Sequence, residues 1–199
     1  MKDYVIILDN GHGKETKGKC SPDHRIYEWK YTREIVKKLY EKLEKNGIET
    51  KILVPEDTDI RLSERVKREK MITTEAIKNG KKVLLVSVHL NAAGNGDKWM
   101  SASGWQVHVG DNASQASKAF AKMIYSEAES YGLKGNRSVP KEKYWVSPFY
   151  ILRHTSCPAV LTENMFQDNK KDTEFLLSEE GKNTIIDLHF NAIKKFISE

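Results

Sequence analysis

The chain has 199 residues, 39% hydrophobic and 31% charged, with Gly and Pro scattered along it. That length favours a single domain over 1–199, and the composition excludes disorder and collagen-like structure. Lys and Arg exceed Asp and Glu by 33 to 28, but the excess is spread through segments that also carry acids, as in 61–70, so solvated faces account for it and specific nucleic-acid binding is set aside.

No run of about 18 apolar residues occurs, so no membrane span is expected. Met1-Lys2-Asp3-Tyr4 leads directly into a strand rather than a signal peptide. Cys20 and Cys157 are too few for a disulfide framework and are expected as free thiols.

The apolar run Tyr4-Val5-Ile6-Ile7-Leu8 lacks alternation, as a strand covered on both faces should. It ends in Asp9-Asn10-Gly11-His12-Gly13. A helix from about Tyr27 to Lys45 is stopped by Asn46-Gly47, and Glu49 to Val54 supplies a second strand. A second helix, Leu62 to Asn79, is closed by Gly80. Lys82 to Val88 then forms the most apolar strand and delivers His89 at its end.

Gly104 to Val109 alternates and reads as one strand of an antiparallel edge pair, with His108 turned toward a wetter surface. A helix from Ser114 to Tyr131 follows, then an irregular stretch from Lys134 to Ser147. Tyr150-Ile151-Leu152 and Ala159 to Thr162 read as short strands, and helices over 172–177 and 178–197 close the chain. The alternation implies an α/β fold with a mostly parallel sheet of about six strands and helices on both faces.

In such a sheet the strand ends share one edge, where ligands collect. His12, Glu28, His89 and Glu163 all fall there. Glu28 shares a helical stripe with Thr32, Ile35, Leu39 and Leu43, so its carboxylate faces the core and needs a partner or a cation. An acid that favours the helix dipole is an equal reading for Glu28 alone. His12 alone also fits a loop residue, His89 a strand-end imidazole bonded to a carbonyl, and Glu163 a loop-capping acid. Taken together, two histidines and two acids are the parts of a metallohydrolase.

At these residues the chain resembles the zinc-dependent N-acetylmuramoyl-L-alanine amidase family of peptidoglycan hydrolases. The family's Asp-x-Gly-His-Gly segment stands here as Asp9 to Gly13, and its helix-opening Glu as Glu28. Its Ser-x-His-x-Asn segment is Ser87 to Asn91, the most specific local match. The family's catalytic Glu context follows a Pro-x-x-Leu strand and is matched by Pro158 to Asn169, except that Met165 replaces the usual glycine. A glycine there can adopt angles closed to Met, so the backbone beside Glu163 is expected to take another path.

The resemblance implies Zn²⁺ on His12, Glu28 and His89, with Glu163 as proton carrier. The bond cut would be the one between N-acetylmuramic acid and the stem peptide's L-alanine. Peptidoglycan would be the partner and the bacterial cell wall the place of action, reached from the cytoplasm as a phage-type lysin or by an autolysin present here without its leader, with no separate wall-binding domain. The alternatives are a non-catalytic wall-binding module and another zinc hydrolase, such as a deacetylase or carboxypeptidase.

Other features stay outside this set. His24, His108, His154 and His189 are weaker ligand candidates, and Cys157 with nearby His154 suggests a thiol nucleophile only by sequence proximity. Asn91 either orients His89 or forms a turn. Lys134, Arg137, Lys141 and Lys143 with Tyr144, Trp145 and Phe149 form a candidate groove for glycan and anionic peptide.

Overall fold

The computed structural model describes residues 3–136 and 138–199, so Met1, Lys2 and Arg137 lie outside the described residues. Strand β1 (Tyr4–Asn10) leads to helix α1 (Glu28–Lys45), then β2 (Thr50–Ile52), α2 (Leu62–Lys78), β3 (Lys82–Asn91) and β4 (Gln106–Val109). Helix α3 (Gln115–Ser130), β5 (Trp145–Val146), α4 (Tyr150–His154), β6 (Ala159–Phe166), α5 (Lys170–Leu177) and α6 (Glu179–Phe196) complete the order.

The six strands form one sheet in the order β2-β1-β3-β6-β4-β5, parallel except where β4 runs against β6. No helix among the described residues is long and apolar enough to cross a membrane.

Both faces of the central strands are buried, which is why they read as unbroken apolar runs. Alternation sends Ile6, Leu8, Leu84, Val86 and Val160 to one face, against α1, α3 and α6, where the larger apolar cluster forms with Ile35, Leu39, Phe120 and Ile185. Val5, Ile7, Leu85 and Leu161 point the other way, against Val66 and Ala76 of α2 and Ile151 and Leu152 of α4. Continuing that second alternation two residues at a time brings Asp9, Ser87, His89 and Glu163 to the same face. The fold thus aims the site toward α2 and α4.

Several expectations change. Tyr150-Ile151-Leu152 is not a strand but the start of α4, which leaves Tyr150 exposed and buries Ile151 and Leu152 against α2. A three-residue apolar run does not distinguish the two periods. Strand β4 is antiparallel to its neighbour as expected, but it is not the edge. Trp145–Val146, inside the supposedly irregular stretch, pairs beyond it in parallel. Strands β3 and β6 run on to Asn91 and Phe166, so His89 and Glu163 sit inside strands, as Cα partners of each other.

Candidate active site

His12 follows β1 in a turn that needs both flanking glycines. A Cβ on Gly11 would lie 2.5 Å from Nδ1 of His89, and one on Gly13 would lie 2.1 Å from the backbone nitrogen of Asp59. His12 itself has φ 58°, in the left-handed region that a side chain occupies at a cost. Two guanidiniums hold it there: the His12 carbonyl accepts from Nη2 of Arg33 at 3.0 Å and from Nη2 of Arg65 at 3.2 Å. Arg65 also donates to Asp9 Oδ1 at 2.8 Å and to the Asn10 carbonyl at 2.6 Å, while Ser87 donates to Asp9 Oδ2 at 2.5 Å. Arg65 and Asp9 are both buried, so two motif residues, Asp9 and Ser87, are tied into one ion-paired support beneath the turn.

Glu28 opens α1 and is fully buried. Its carboxylate turns away from its own helix: Oε1 accepts from the Leu90 N–H at 3.0 Å and lies 3.1 Å from His89 Nδ1 and 3.5 Å from His12 Nε2. Oε2 accepts from Gln167 Nε2 at 3.3 Å. Of the two sequence readings of Glu28, the core-facing one holds, although the residue also lies in the first turn of α1. The His12 and His89 rings meet edge to face, 5.2 Å between centroids. One ligand atom from each of His12, Glu28 and His89 lies within 4.8 Å of the others, a group that can hold a metal ion. Among the described residues no Lys or Arg pairs with Glu28, so the donor set of two imidazoles and one buried carboxylate fits a divalent cation.

The electrostatics of the group follow from burial and from Glu28. Burial pushes the His12 imidazole down to about 4, leaving it neutral with a free lone pair. Burial opposes the His89 imidazolium, but the hydrogen bond and charge of Glu28 outweigh it and raise His89. Burial likewise opposes the Glu28 carboxylate, and contact with His89, His12 and the Leu90 N–H holds it below the usual range.

Glu163 stands beside this group with Oε2 buried and without a hydrogen-bond partner among the described residues. Burial pushes its carboxyl up to about 7, against the pull of His89 and Lys19 and with the Glu28 charge adding to the rise. Glu163, His12 and His89 line one cavity of about 460 Å³ with Lys19, Arg61 and Tyr150. The four sequence candidates are therefore brought together.

Met165 adopts a left-handed backbone conformation of the kind that favours glycine. It has φ 67° and lies in a bulge, where the register passes from His89↔Glu163 to Asn91↔Phe166 and Leu90 stands opposite both Asn164 and Met165. The turn at Met165 is left-handed and Met carries its cost, with its side chain packed against the larger apolar cluster.

Sequence reasoning missed three supports. Gln167 reaches Glu28 as described, and Asn164 bridges the His89 carbonyl at 2.9 Å and the Trp105 indole N–H at 2.7 Å. Asp168 accepts the Ala93 and Gly94 N–H groups at 2.9 and 2.7 Å, pinning the loop after His89. The motif context from Asn164 to Asn169 was the available signal. The Asn91 side chain makes no bond to His89; it donates to Gln106 Oε1 and accepts the Ala92 N–H, holding the loop that follows His89.

The rival groups are elsewhere. His108 is buried rather than wet, packed on Phe149 at 5.2 Å and bonded to Ser147. His24 stacks on Tyr27, His154 bonds the Tyr150 carbonyl of its own turn, and His189 is buried beneath Thr162. Cys20 and Cys157 are free, and burial pushes the Cys157 thiol up, away from a nucleophile's range. Of the described residues in the Lys134 to Phe149 set, Tyr144 is buried, Lys143 pairs with Glu129, and Phe149 alone lines the cavity, while Arg137 lies outside the described residues.

Residues 6–195 match the Amidase_3 family, N-acetylmuramoyl-L-alanine amidase. The sequence is similar to an endolysin of Bacillus phage SPP1, 28% identical over 196 residues, covering 98% of this chain and 66% of that protein. It is also similar to a probable cell wall amidase, LytH, of Staphylococcus saprophyticus, 26% identical and covering 100% of this chain and 60% of the relative. The chain thus spans less than two thirds of the length of these curated relatives.

The fold superposes on the crystal structure of an N-acetylmuramoyl-L-alanine amidase from Clostridium difficile 630 with TM-score 0.81 and 25% identity, covering 100% of this chain and 99% of that one. It is also similar to the catalytic domain of CwlV, an amidase from Bacillus (Paenibacillus) polymyxa var. colistinus, with TM-score 0.79 and 26% identity, covering 100% and 99% of the two chains. With the match running from β1 to α6, the chain belongs to the N-acetylmuramoyl-L-alanine amidase family.

Proposed function

We propose that this chain hydrolyses the amide between N-acetylmuramic acid and L-alanine in peptidoglycan. His12, Glu28 and His89 would hold Zn²⁺, and Glu163 would carry the proton. The observation that carries this reading is Glu163 itself: a carboxyl beside a three-donor cluster, in a cavity, with Oε2 unpartnered among the described residues. A wall-binding module has no use for that acid. When bound, zinc supplies Lewis acidity toward water and toward the carbonyl oxygen.

The chain's own residues do the rest. The neutral His12 offers its lone pair, and Glu28, fixed by Leu90 and Gln167, supplies the negative charge that a dication needs. Glu163 Oε2 accepts a proton from the attacking water and delivers it to the departing alanine nitrogen. The strand pairing His89↔Glu163 keeps the proton carrier and the donor group in fixed relation through both transfers. No covalent intermediate on the protein is required. The cell wall is the place of action, whether in a phage-type lysin or a bacterial autolysin.

Mass spectrometry of purified walls digested with and without a chelator tests the reading. The expected result is release of stem peptides with a free alanine amine, abolished by the chelator and restored by zinc. New reducing sugar ends, or release that persists with chelator, would overturn it.

A further inference from the structure

The cavity over Glu163 holds two cations that this chemistry does not use. Of its three basic lining residues, Arg65 is committed to Asp9 and to the carbonyls of Asn10 and His12. Lys19 and Arg61 are not committed: among the described residues neither side chain forms an ion pair or a hydrogen bond. Of the three lining acids, Glu163 is the proton carrier and makes no direct contact with either cation, and the other two are engaged elsewhere. Asp9 is held by Arg65 and Ser87, and Asp59 accepts from Thr16 Oγ1 at 2.7 Å with Arg65 a further 3.6 Å contact.

Both cations are anchored by backbone. The Lys19 carbonyl accepts the Glu28 N–H at 2.9 Å, which ties Lys19 to the first turn of α1, and its charge acts on both His12 and Glu163. Arg61 is the N-cap of α2, its carbonyl accepting from Glu64 and Arg65.

The same cavity is lined by Leu62, Phe149 and Tyr150, which leave 50%, 37% and 39% of their surface in solvent. Large apolar side chains exposed together in a concave lining with unpaired cations are the composition of a ligand site rather than of a solvated surface. We propose that Lys19 and Arg61 form a carboxylate subsite beside the reacting centre, walled by Leu62, Phe149 and Tyr150. The subsite selects a peptide with a free carboxylate next to the cleaved alanine over the same peptide with that group amidated.

A carboxylate accepts from a guanidinium through two oxygens and from an ammonium as a point charge, while a carboxamide is uncharged, keeps one accepting oxygen and replaces the other with an NH2 that donates toward groups that only donate. The inference rests on the amide-hydrolysis reading above.

The test uses two soluble muramoyl peptides that differ only in whether the residue after alanine bears a free carboxylate or its carboxamide. The intact chain is expected to prefer the acid by about tenfold in kcat/KM, chiefly through KM. Lys19→Met and Arg61→Met each reduce that ratio several-fold, Lys19→Arg keeps it, and salt raised to about 1 M reduces it in the parent. Inhibition of the parent by the released acid peptide, stronger than by its amide, gives a second reading that needs no variant. Equal cleavage of both substrates, or a ratio that survives in the Lys19→Met/Arg61→Met double variant, overturns the subsite while leaving the reaction intact. Cleavage of neither substrate, with inactive wall digests, overturns the reaction and the subsite with it.

Discussion

The two faces of the sheet are built from the same strands and answer to different demands. Against α1, α3 and α6 the inward residues are almost all apolar, and the buried His189 ring there is bonded to Thr162 Oγ1 at 2.9 Å and to the Ile185 carbonyl at 2.7 Å. Against α2 and α4 the apolar cluster covers only the first half of each strand, and beyond Ile7, Leu85 and Leu161 the same face turns to Asp9, His89 and Glu163. That half is held by buried charge, the Arg65–Asp9 pair beneath the left-handed His12 turn, more than by apolar packing. One face carries the stability that lets the other keep strained and half-paired groups.

The largest separation of the two roles comes from Glu163→Gln. Turnover is expected to fall by about 10²- to 10⁴-fold while bound metal, read by elemental analysis, stays at the parent level. Metal lost along with activity would make Glu163 a ligand and not a proton carrier.

Arg65→Met probes the support under the turn. Removing one partner leaves Asp9 buried and unpaired, a loss of about 3–5 kcal/mol in urea unfolding, with weaker metal binding because the His12 carbonyl loses one of its two donors. A loss below about 1 kcal/mol would show that the turn stands without the ion pair.

On the other face, burial pushes His189 down to about 4 from an unfolded value near 6.5. The unfolded chain therefore binds the extra proton first. Stability contributed by the neutral ring is full above about 6.5 and is lost as pH falls toward 4, at most about 3 kcal/mol. Unfolding of His189→Gln followed over that window should show a shallower acid slope than the parent; identical slopes would remove His189 from the account.

The smallest effect is expected at Met165→Ile. Volume and apolarity are kept but a β-branched side chain is placed at φ 67°, for a cost of about 1 kcal/mol in the urea midpoint. No cost would mean that the bulge relaxes when its residue changes.

How much of this was legible in the sequence depends on the residue. Glu28 was legible because helical phase sets it in line with Thr32, Ile35 and Leu39, and the structure buries all four. His12 was legible through Asp9 to Gly13, and the reason for both glycines is visible only when the His89 ring and the 58–59 backbone close on them. Gln167 and Asn164 were not singled out, since amides announce nothing until a carboxylate or carbonyl is brought within reach. His108 alternates out of phase with Val107 and Val109 as read, but Trp145, Ser147 and Phe149, which cover it, come from a segment distant in sequence.

Hydrophobic run length, helix phase and the glycine stops by themselves determined the α/β alternation, the mostly parallel sheet and the edge at which the four site residues arrive. They could do so because strand and helix periods are local properties of the chain. Only the tertiary structure decided that Tyr150 to His154 is a helix, that β5 pairs outside β4, and that Met165 accepts a glycine's conformation. Each of these trades a local preference against burial and pairing supplied by distant segments, and those terms enter only when the chain is folded.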